Sequence, residues 1–477
     1  MNLNPTNYCK HRLKKIYMIG IKGVGMTMLA QYFSTKGFIV SGSDVNEKFM
    51  TDEVLEKLKI KVFKDFNKNN IPKDADLIIY STAYNAEHNE EVAEALASKI
   101  KTLTYANALS EIFNKKHGIA VVGSHGKTTV TAWLGYVLWN AGLDPSIMVG
   151  AKVPQFTGAT LTGKSNYLVI EADEYQNKLK YLQPKAVILN NIDYDHPDFF
   201  PTKKDYKNVF IEFIKKIPIK GFLIANYDDV LIRKNTKVNC KGEIITYAIN
   251  QDADYIAYDI KTINNKQYFK VKSKIKNNNN ESELKDFSIQ LFGRHNISNA
   301  LAVIAASIKL GVELSKIKKF LKEFLGTTRR LQVLGKFQGA IIIDDYAHHP
   351  TEIKASLEAL RQKYNKQKIT VVFHPHTFTR TKILLNDFAK SFIVANNVII
   401  LDIYGSSREK QGKVHSKDLL NKLRIINNKL QIKQKTRYIP ALKECEAYLR
   451  KHIKKEDVVV LMGAGDVFRV GENLVRQ

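Results

Sequence analysis

The run HGIAVVGSHGKTTVTAW, residues 117–133, restricts the fold more than any other stretch of this chain. An apolar, β-branched segment passes through a glycine turn straight into a helical pattern. A strand feeding a helix through a tight turn is the context a phosphate-binding loop requires. The loop is short. A Walker A loop reads G-x-x-x-x-G-K-[ST], and its first glycine would fall where the chain has Val121. The nearest glycine is Gly123, so the chain reads G-x-x-G-K-T. Two readings stand at this point: a nucleotide site, or a glycine turn that happens to precede a lysine.

The same alternation of strand-like runs and helix-length amphipathic stretches recurs through most of the sequence, which predicts α/β architecture with parallel sheets. A first unit opens on KIYMIG and continues through GFIVSGSD and ADLIIYST. A second begins near residue 117, with further strands NYLVIEAD, PKAVILNNI and GFLIAN. After GTTRRLQ a third unit runs through AIIIDDYA, ITVVFHP, NVIILDIYG and VVVLMGAGD. The expected boundaries fall near 113 and 326, giving domains 1–113, 114–326 and 327–477. The Asn/Lys-rich tract at 274–285 has no apolar period and is expected to be a hairpin loop or a mobile insertion. A length of 477 residues is too great for one ordinary core.

Composition excludes little else. With 44% apolar and 25% charged residues the chain has an ordinary globular make-up. No uninterrupted apolar run reaches the roughly 18–20 residues that span a bilayer. Basic residues from Lys10 to Lys15 precede an apolar stretch, but Lys22 and three glycines interrupt it, so a first strand is expected and not a signal peptide. Cys9, Cys240 and Cys445 are widely spaced and suggest neither disulfides nor a metal site, so a cytoplasmic protein is expected. The formal charge of +27 raises nucleic-acid binding. The excess is mostly lysine spread along the chain, without aromatics interleaved for base stacking, so no nucleic-acid partner is expected.

Acidic motifs at strand ends sharpen the nucleotide reading. VIEADEYQ presents Glu171, Asp173 and Glu174, and LNNIDYDHPDFF presents Asp193, Asp195 and His196. In an open parallel sheet the carboxyl ends of strands face the ligand crevice, on the edge where the phosphate loop lies. Carboxylates and an imidazole there suit Mg²⁺ bridging phosphates. Lys127 would neutralise β- and γ-phosphate oxygens, and the Thr128 hydroxyl would bind the ion. In the first unit, Gly20, Gly23 and Gly25 form a G-x-x-G-x-G turn with Asp44 at the end of the next strand. This departs from the dinucleotide fingerprint, yet glycines at a helix N-terminus still admit a pyrophosphate. In the third unit, DDYAHHPTE and FHPHTFTR place His348, His349, His374, His376 and Arg380 after strands. Their H-H-P and H-P-H spacing lies on turns, not at helical i, i+4 positions, which argues against zinc.

Taken in order, the glycine turn with SGSD, then GSHGKTT, EADE, NNIDYDH, GRHN, TTRR, DDYAHHPTEI, FHPHTFTR and GAGD resemble the Mur ligase family, the ATP-dependent amino-acid ligases of peptidoglycan precursor synthesis. The resemblance implies three domains: a Rossmann-like N-terminal domain for the UDP-sugar, a central P-loop ATPase-like domain with a mostly parallel sheet, and a Rossmann-like C-terminal domain for the amino acid. It implies ATP and Mg²⁺ as cofactors. Gly123, Ser124, His125, Gly126, Lys127, Thr128 and Thr129 would hold phosphates, with Thr128, Glu171 and His196 on the metal. His295 and Asn296 would lie by the adenine and Asp345 by the ribose. Arg329, His348, His376 and Arg380 would line the phosphate and amino-acid side. Gly20, Gly23, Val24, Gly25, Ser43, Asp44 and Ser81 would take the UDP-sugar.

Within the family, GIKGVGM and DDYAHHPTE look most like the branch that joins L-alanine to UDP-N-acetylmuramate. A recycling branch attaches a tripeptide to the same nucleotide sugar; it typically reads EADEYD where this chain has EADEYQ. Two departures from the alanine branch are HTFTR at 376–380 for H-R-Y-T-R, and AHHPTE for GHHPTE. A monomer or dimer is expected. Two rivals explain less: a nucleic-acid-stimulated P-loop NTPase leaves the histidine-rich strand ends idle, and a dehydrogenase leaves GSHGKTT idle.

Overall fold

The computed structural model describes residues 14–476 apart from 157, 278–279, 406–408 and 410, and omits the side chains of 276, 277 and 280–282. Cys9 and Lys10 lie outside the described residues. Three sheets follow one another along the chain.

The first contains β1 (Lys15–Ile19), β2 (Ile39–Ser43), β3 (Lys61–Phe63), β4 (Leu77–Tyr80) and β5 (Thr102–Thr104), all parallel, in the order β3-β2-β1-β4-β5. The order reverses at β1, so the crevice outside its carboxyl end is where a ligand is expected. The glycine turn sits there.

The second sheet has ten strands: β6 (His117–Val122), β7 (Ser146–Met148), β8 (Thr160–Leu161), β9 (Tyr167–Glu171), β10 (Ala186–Leu189), β11 (Phe222–Asn226), β12 (Glu243–Ala248), β13 (Tyr255–Ile263), β14 (Lys266–Asn277) and β15 (Asn280–Ile289). Their order is β15-β14-β13-β12-β11-β10-β6-β9-β7-β8. Successive side chains of a strand point to opposite faces, and β6 is apolar on both. Ala120 and Val122 join one core with Leu168, Ile170 and Val187, while Ile119 and Val121 join another with Val169 and Ile188. That is why the strand reads as an unbroken apolar run. The first of these cores continues into the N-terminal sheet through Met18, Met28 and Leu29. Gln31 also donates to the Thr160 carbonyl at 3.2 Å, which seats the first domain on the second.

The Asn/Lys tract belongs to a hairpin, as expected, but its flanks are strand as far as Asn277 and again from Asn280. β14 and β15 pair antiparallel beyond the parallel core. Solvent on the open face of such an extension tolerates polar residues that no central strand would.

The third sheet holds β16 (Gln332–Phe337), β17 (Ala340–Asp345), β18 (Ile369–Phe373), β19 (Asn397–Ile400), β20 (Lys435–Tyr438) and β21 (Val458–Met462), in the order β16-β17-β21-β18-β19-β20. Only the β16–β17 pair is antiparallel. No helix among the described residues is long and apolar enough to cross a membrane.

Candidate active site

The phosphate loop joins β6 to the helix Lys127–Asn140. Gly123 and Gly126 have φ of +136° and +79°, a region that favours glycine. A Cβ on Gly126 would come within 2.8 Å of Asn299 Oδ1. The loop is braced from the end of β10: Asn191 Oδ1 accepts from His125 N at 2.8 Å, and Ser124 Oγ donates to the Asp193 carbonyl at 2.6 Å. The helix N-terminus therefore presents its amides and positive dipole end over a rigid turn.

Lys127 Nζ lies 2.8 Å from Glu174 Oε2 and 2.5 Å from the Gly123 carbonyl. Burial opposes its charge, but Glu174 and Asp173 outweigh that and hold its pKa above the ordinary lysine value. Thr128 Oγ1 donates to Glu171 Oε1 at 2.9 Å, and Glu171 Oε2 accepts from Gly150 N at 2.7 Å. Asp173, Glu174 and His196 each place one donor atom within 4.8 Å of the others. His196 has φ +55°, and its Nδ1 is buried without a hydrogen-bond partner. Tyr206 OH, 2.9 Å from Glu174 Oε1 and 2.8 Å from Ser124 Oγ, ties the acids to the loop. A half-buried imidazole grouped with two carboxylates, with the Thr128–Glu171 pair at the start of the loop's helix, fits a divalent cation of the Mg²⁺ type, which takes few protein ligands.

Beyond the loop a cavity of about 920 Å³ opens between the second and third domains. His125, Gly126, Thr129, His295, Asn296 and Asp345 all border it. The Asn296 amide donates to the Phe292 carbonyl at 2.7 Å and its Oδ1 accepts from Asn299 at 3.1 Å, which locks the start of the helix Arg294–Lys309. Burial pushes His295 down to about 4, so it is neutral at pH 7. Burial lifts Asp345 to about 6. An acid raised in the folded state favours folding fully below its unfolded pKa, and that contribution is lost as pH rises through about 6. Asp345→Asn should therefore raise the melting temperature at pH 8 and lose the gain near pH 4, as thermal melts at the two pH values would register. Equal shifts at both would refute the ionised buried acid.

The third domain meets the second through charged contacts. Arg380 Nε donates to Asp195 Oδ1 at 2.8 Å, with the two side chains 3% and 6% exposed. Thr351 Oγ1 donates to Asp193 at 2.6 Å, and His349 Nε2 lies 3.2 Å from the Tyr194 carbonyl. Burial, opposed by Glu352, pushes His348 down to about 3; its Nδ1 lies 3.0 Å from the Tyr346 carbonyl. A carbonyl only accepts, so Nδ1 carries the proton and Nε2 the lone pair. His376 is the reverse: its Nδ1 is 3.1 Å from Arg380 NH1, a group that only donates, so Nδ1 accepts.

At the first domain's turn, Gly20 N and Ile21 N donate to the Ser43 carbonyl at 2.9 and 3.1 Å. Asp44 accepts from Lys22 N at 2.7 Å and from Tyr84 OH at 3.1 Å. A Cβ on Gly20 would meet Tyr84 at 2.8 Å and Ser81 at 3.0 Å, and one on Gly25 would meet the Tyr105 ring at 2.6 Å. Gly23 caps the helix Val24–Thr35, whose first residue is exposed. The Ser43 hydroxyl is fully buried and points to Glu91, away from the crevice.

Family models agree with this geometry: the Mur ligase family catalytic domain matches residues 15–117, the Mur ligase middle domain 121–307, and the Mur ligase glutamate ligase domain 329–465. The chain belongs to the Mur ligase family. It is 38% identical to the UDP-N-acetylmuramate–L-alanine ligase of Desulfitobacterium hafniense (strain Y51) over 96% of this chain and 99% of the relative. It is also 38% identical to the protein so named in Acetivibrio thermocellus, over 98% and 96%. The fold is that of the UDP-N-acetylmuramate–alanine ligase of Thermotoga maritima (TM-score 0.80, 24% identity, 97% of this chain and 98% of that one). It is also that of a murein peptide ligase of Psychrobacter arcticus (TM-score 0.72, 23% identity, 97% and 98%). Mur ligases are ATP-dependent.

In this Mur ligase the two adjacent arginines part company. Arg329 (φ +59°) is spent within the third domain, donating to Asp344 at 3.2 Å and to the Gly463 and Gly465 carbonyls at 2.8 and 3.0 Å. Arg330 borders the cavity and lies 3.6 Å from Glu352. A sequence carries no mark of which arginine of a pair turns inward. Arg380 likewise meets a protein carboxylate. Asn191 and Glu352 stand within NNIDYDH and DDYAHHPTEI, but neither motif marks their contacts with His125, and Tyr105 packs against Gly25 from a helix start outside every motif. The second glutamate of EADE, Glu174, holds the lysine.

Proposed function

We propose that this chain joins the carboxylate of UDP-N-acetylmuramate to the amine of L-alanine, converting ATP to ADP and phosphate, in peptidoglycan precursor synthesis in the cytoplasm. The observation that carries the substrate pair is full-length likeness to relatives of that name. In this reading residues 1–113 hold the UDP-sugar at the glycine turn. Residues 114–326 hold ATP, and 327–477 present the amino acid.

The substrate carboxylate oxygen attacks the γ-phosphorus, the bond to the β-phosphate oxygen breaks, and ADP leaves. The uncharged amine then attacks the acyl carbon, the acyl C–O bond to phosphate breaks, and the departing phosphate carries off the proton lost from nitrogen. Lys127 exchanges Glu174 for γ-phosphate oxygens and draws off developing charge. The loop amides at 123–129 fix the phosphates in line. Mg²⁺, held by Thr128, Glu171 and His196 with Asp173 and Glu174 close by, would neutralise phosphate charge when bound.

His348 is too weak a base to take a proton from an ammonium group at equilibrium. Its Nε2 lone pair suits accepting an N–H from an amine that enters uncharged. His376 is held through Nδ1 by Arg380, which fixes its ring where the third domain meets Asp195. These are positioning and hydrogen-bonding roles.

Release of ADP and phosphate by the purified protein should require UDP-N-acetylmuramate and L-alanine together. A panel of amino acids and the murein tripeptide decides the acceptor. Turnover with the tripeptide and none with L-alanine would assign the recycling reaction instead.

A further inference from the structure

His125 is the residue of the phosphate loop that faces the third domain. Its backbone is locked independently of its side chain: N donates to Asn191 Oδ1 at 2.8 Å, and its carbonyl accepts from the Asn191 and Asn190 amides at 3.1 and 3.3 Å. The imidazole is left to bridge two carboxylates. Nε2 lies 3.1 Å from Asp193, beside the loop, and Nδ1 lies 3.3 Å from Glu352 Oε1, in the first turn of the third domain's helix Pro350–Lys363. The His349 ring lies against the imidazole, tilted by 39° with 4.7 Å between centroids. Glu352 is itself oriented, accepting from His348 N at 3.1 Å and lying 3.6 Å from Arg330.

We infer that His125 is a positioning residue that couples closure of the third domain to the phosphate loop, its imidazolium forming a charge bridge between Asp193 and Glu352. Burial opposes that charge, but the two carboxylates lift the pKa to about 9, so the bridge is ionised at pH 7. Asp193 is correspondingly pulled down to about 2 against its own burial. A cation wedged between domains forms both contacts only when they are docked. The border of the ATP cavity at His125 and Glu352 is thus complete only in the closed arrangement.

The inference rests on the ligase reading only for its activity readout. His125→Gln keeps every backbone bond of the loop and removes the cation; Glu352→Gln removes the partner from the other domain. Small-angle scattering on addition of a non-hydrolysable ATP analogue, with no acceptor present, should show compaction of the native chain and less in either variant. In turnover, each variant should lower kcat about tenfold or more while leaving the KM for the UDP-sugar unchanged. The double variant should be no worse than the single ones, because one interaction is lost once. Additive losses, native compaction in both variants, or a kcat within twofold of native would overturn the inference. Should His125→Gln fold poorly, Glu352→Gln alone reads the same bridge. Failure of the L-alanine reaction with compaction intact would instead count against the substrate assignment.

Discussion

Lys127→Ala should reduce kcat by about 10²-fold or more, the equivalent of roughly 3 kcal/mol of transition-state stabilisation. The ammonium is buried beside Glu174, while the loop's other cation, the His125 imidazolium, is turned to Asp193 and Glu352, so removing the ammonium leaves the γ-phosphate charge without the cation aimed at it. Its rest position is informative. At 2.8 Å from Glu174 and 2.5 Å from the Gly123 carbonyl, the charge is kept on the loop before nucleotide arrives. The variant also strands Glu174, which is fully buried and, among the described residues, keeps Tyr206 as its hydrogen-bond donor. Some loss of stability is therefore expected alongside the kinetic loss. Melting curves and single-turnover rates at saturating ATP separate the two. A variant that folds normally and turns over at a near-native rate would remove Lys127 from the chemistry.

Breaking the buried pair between Arg380 and Asp195 should be nearly as costly. Removing one partner of a buried ion pair typically costs about 3–5 kcal/mol, because the other charge is left without compensation. The pair joins the third domain to the second, and each of those domains has its own apolar core. The penalty therefore falls on docking more than on folding. Arg380→Ala and Asp195→Asn should each lower kcat/KM by at least about 10²-fold, with the melting temperature less affected. Arg380→Lys should not restore the rate, since a lysine cannot reproduce the planar guanidinium that meets both Asp195 and His376. The other role for Arg380, holding the carboxylate of the incoming amino acid, predicts a different pattern. It would raise the KM for L-alanine in Arg380→Ala and leave Asp195→Asn near native. Steady-state kinetics on the two variants distinguish the roles.

The elements that carry the chemistry were legible because they are local. HGIAVV reads as a strand buried on both faces, and GSHGKTT as a turn into a helix. EADE and NNIDYDH read as acids at strand ends, because a parallel sheet puts all such ends on one edge. The short spacing of the loop was legible too, once Asn191 and Asp193 are seen to supply the bracing that a longer loop would provide for itself. The β14–β15 hairpin was only half legible. Its polar residues carry no apolar period, since they sit on a sheet extension that needs none.

Side-chain partnerships were not legible, and they changed roles. Arg329 and Arg330 are adjacent in sequence, but backbone with φ +59° at Arg329 sends one into the third domain and leaves the other at the cavity. His348 and His376 look alike in the sequence, each on a turn that follows a strand. Their neighbours, the Tyr346 carbonyl and the Arg380 guanidinium, force opposite tautomers on them.

By itself, the order of strands, glycine turns and acidic ends determined that this chain builds parallel sheets and gathers glycine turns, a lysine and carboxylates at their carboxyl edges. Periodicity and backbone freedom are properties of a few consecutive residues, so they survive in a linear text. Tertiary structure alone decided that Glu174 holds Lys127, that Asp195 takes Arg380, and that His125 spans two domains. Those charges lie 47, 185 and 227 residues from their partners Lys127, Arg380 and Glu352. The first pair meets at the ends of neighbouring strands of the second sheet, and the other two meet only where the third domain packs on the second.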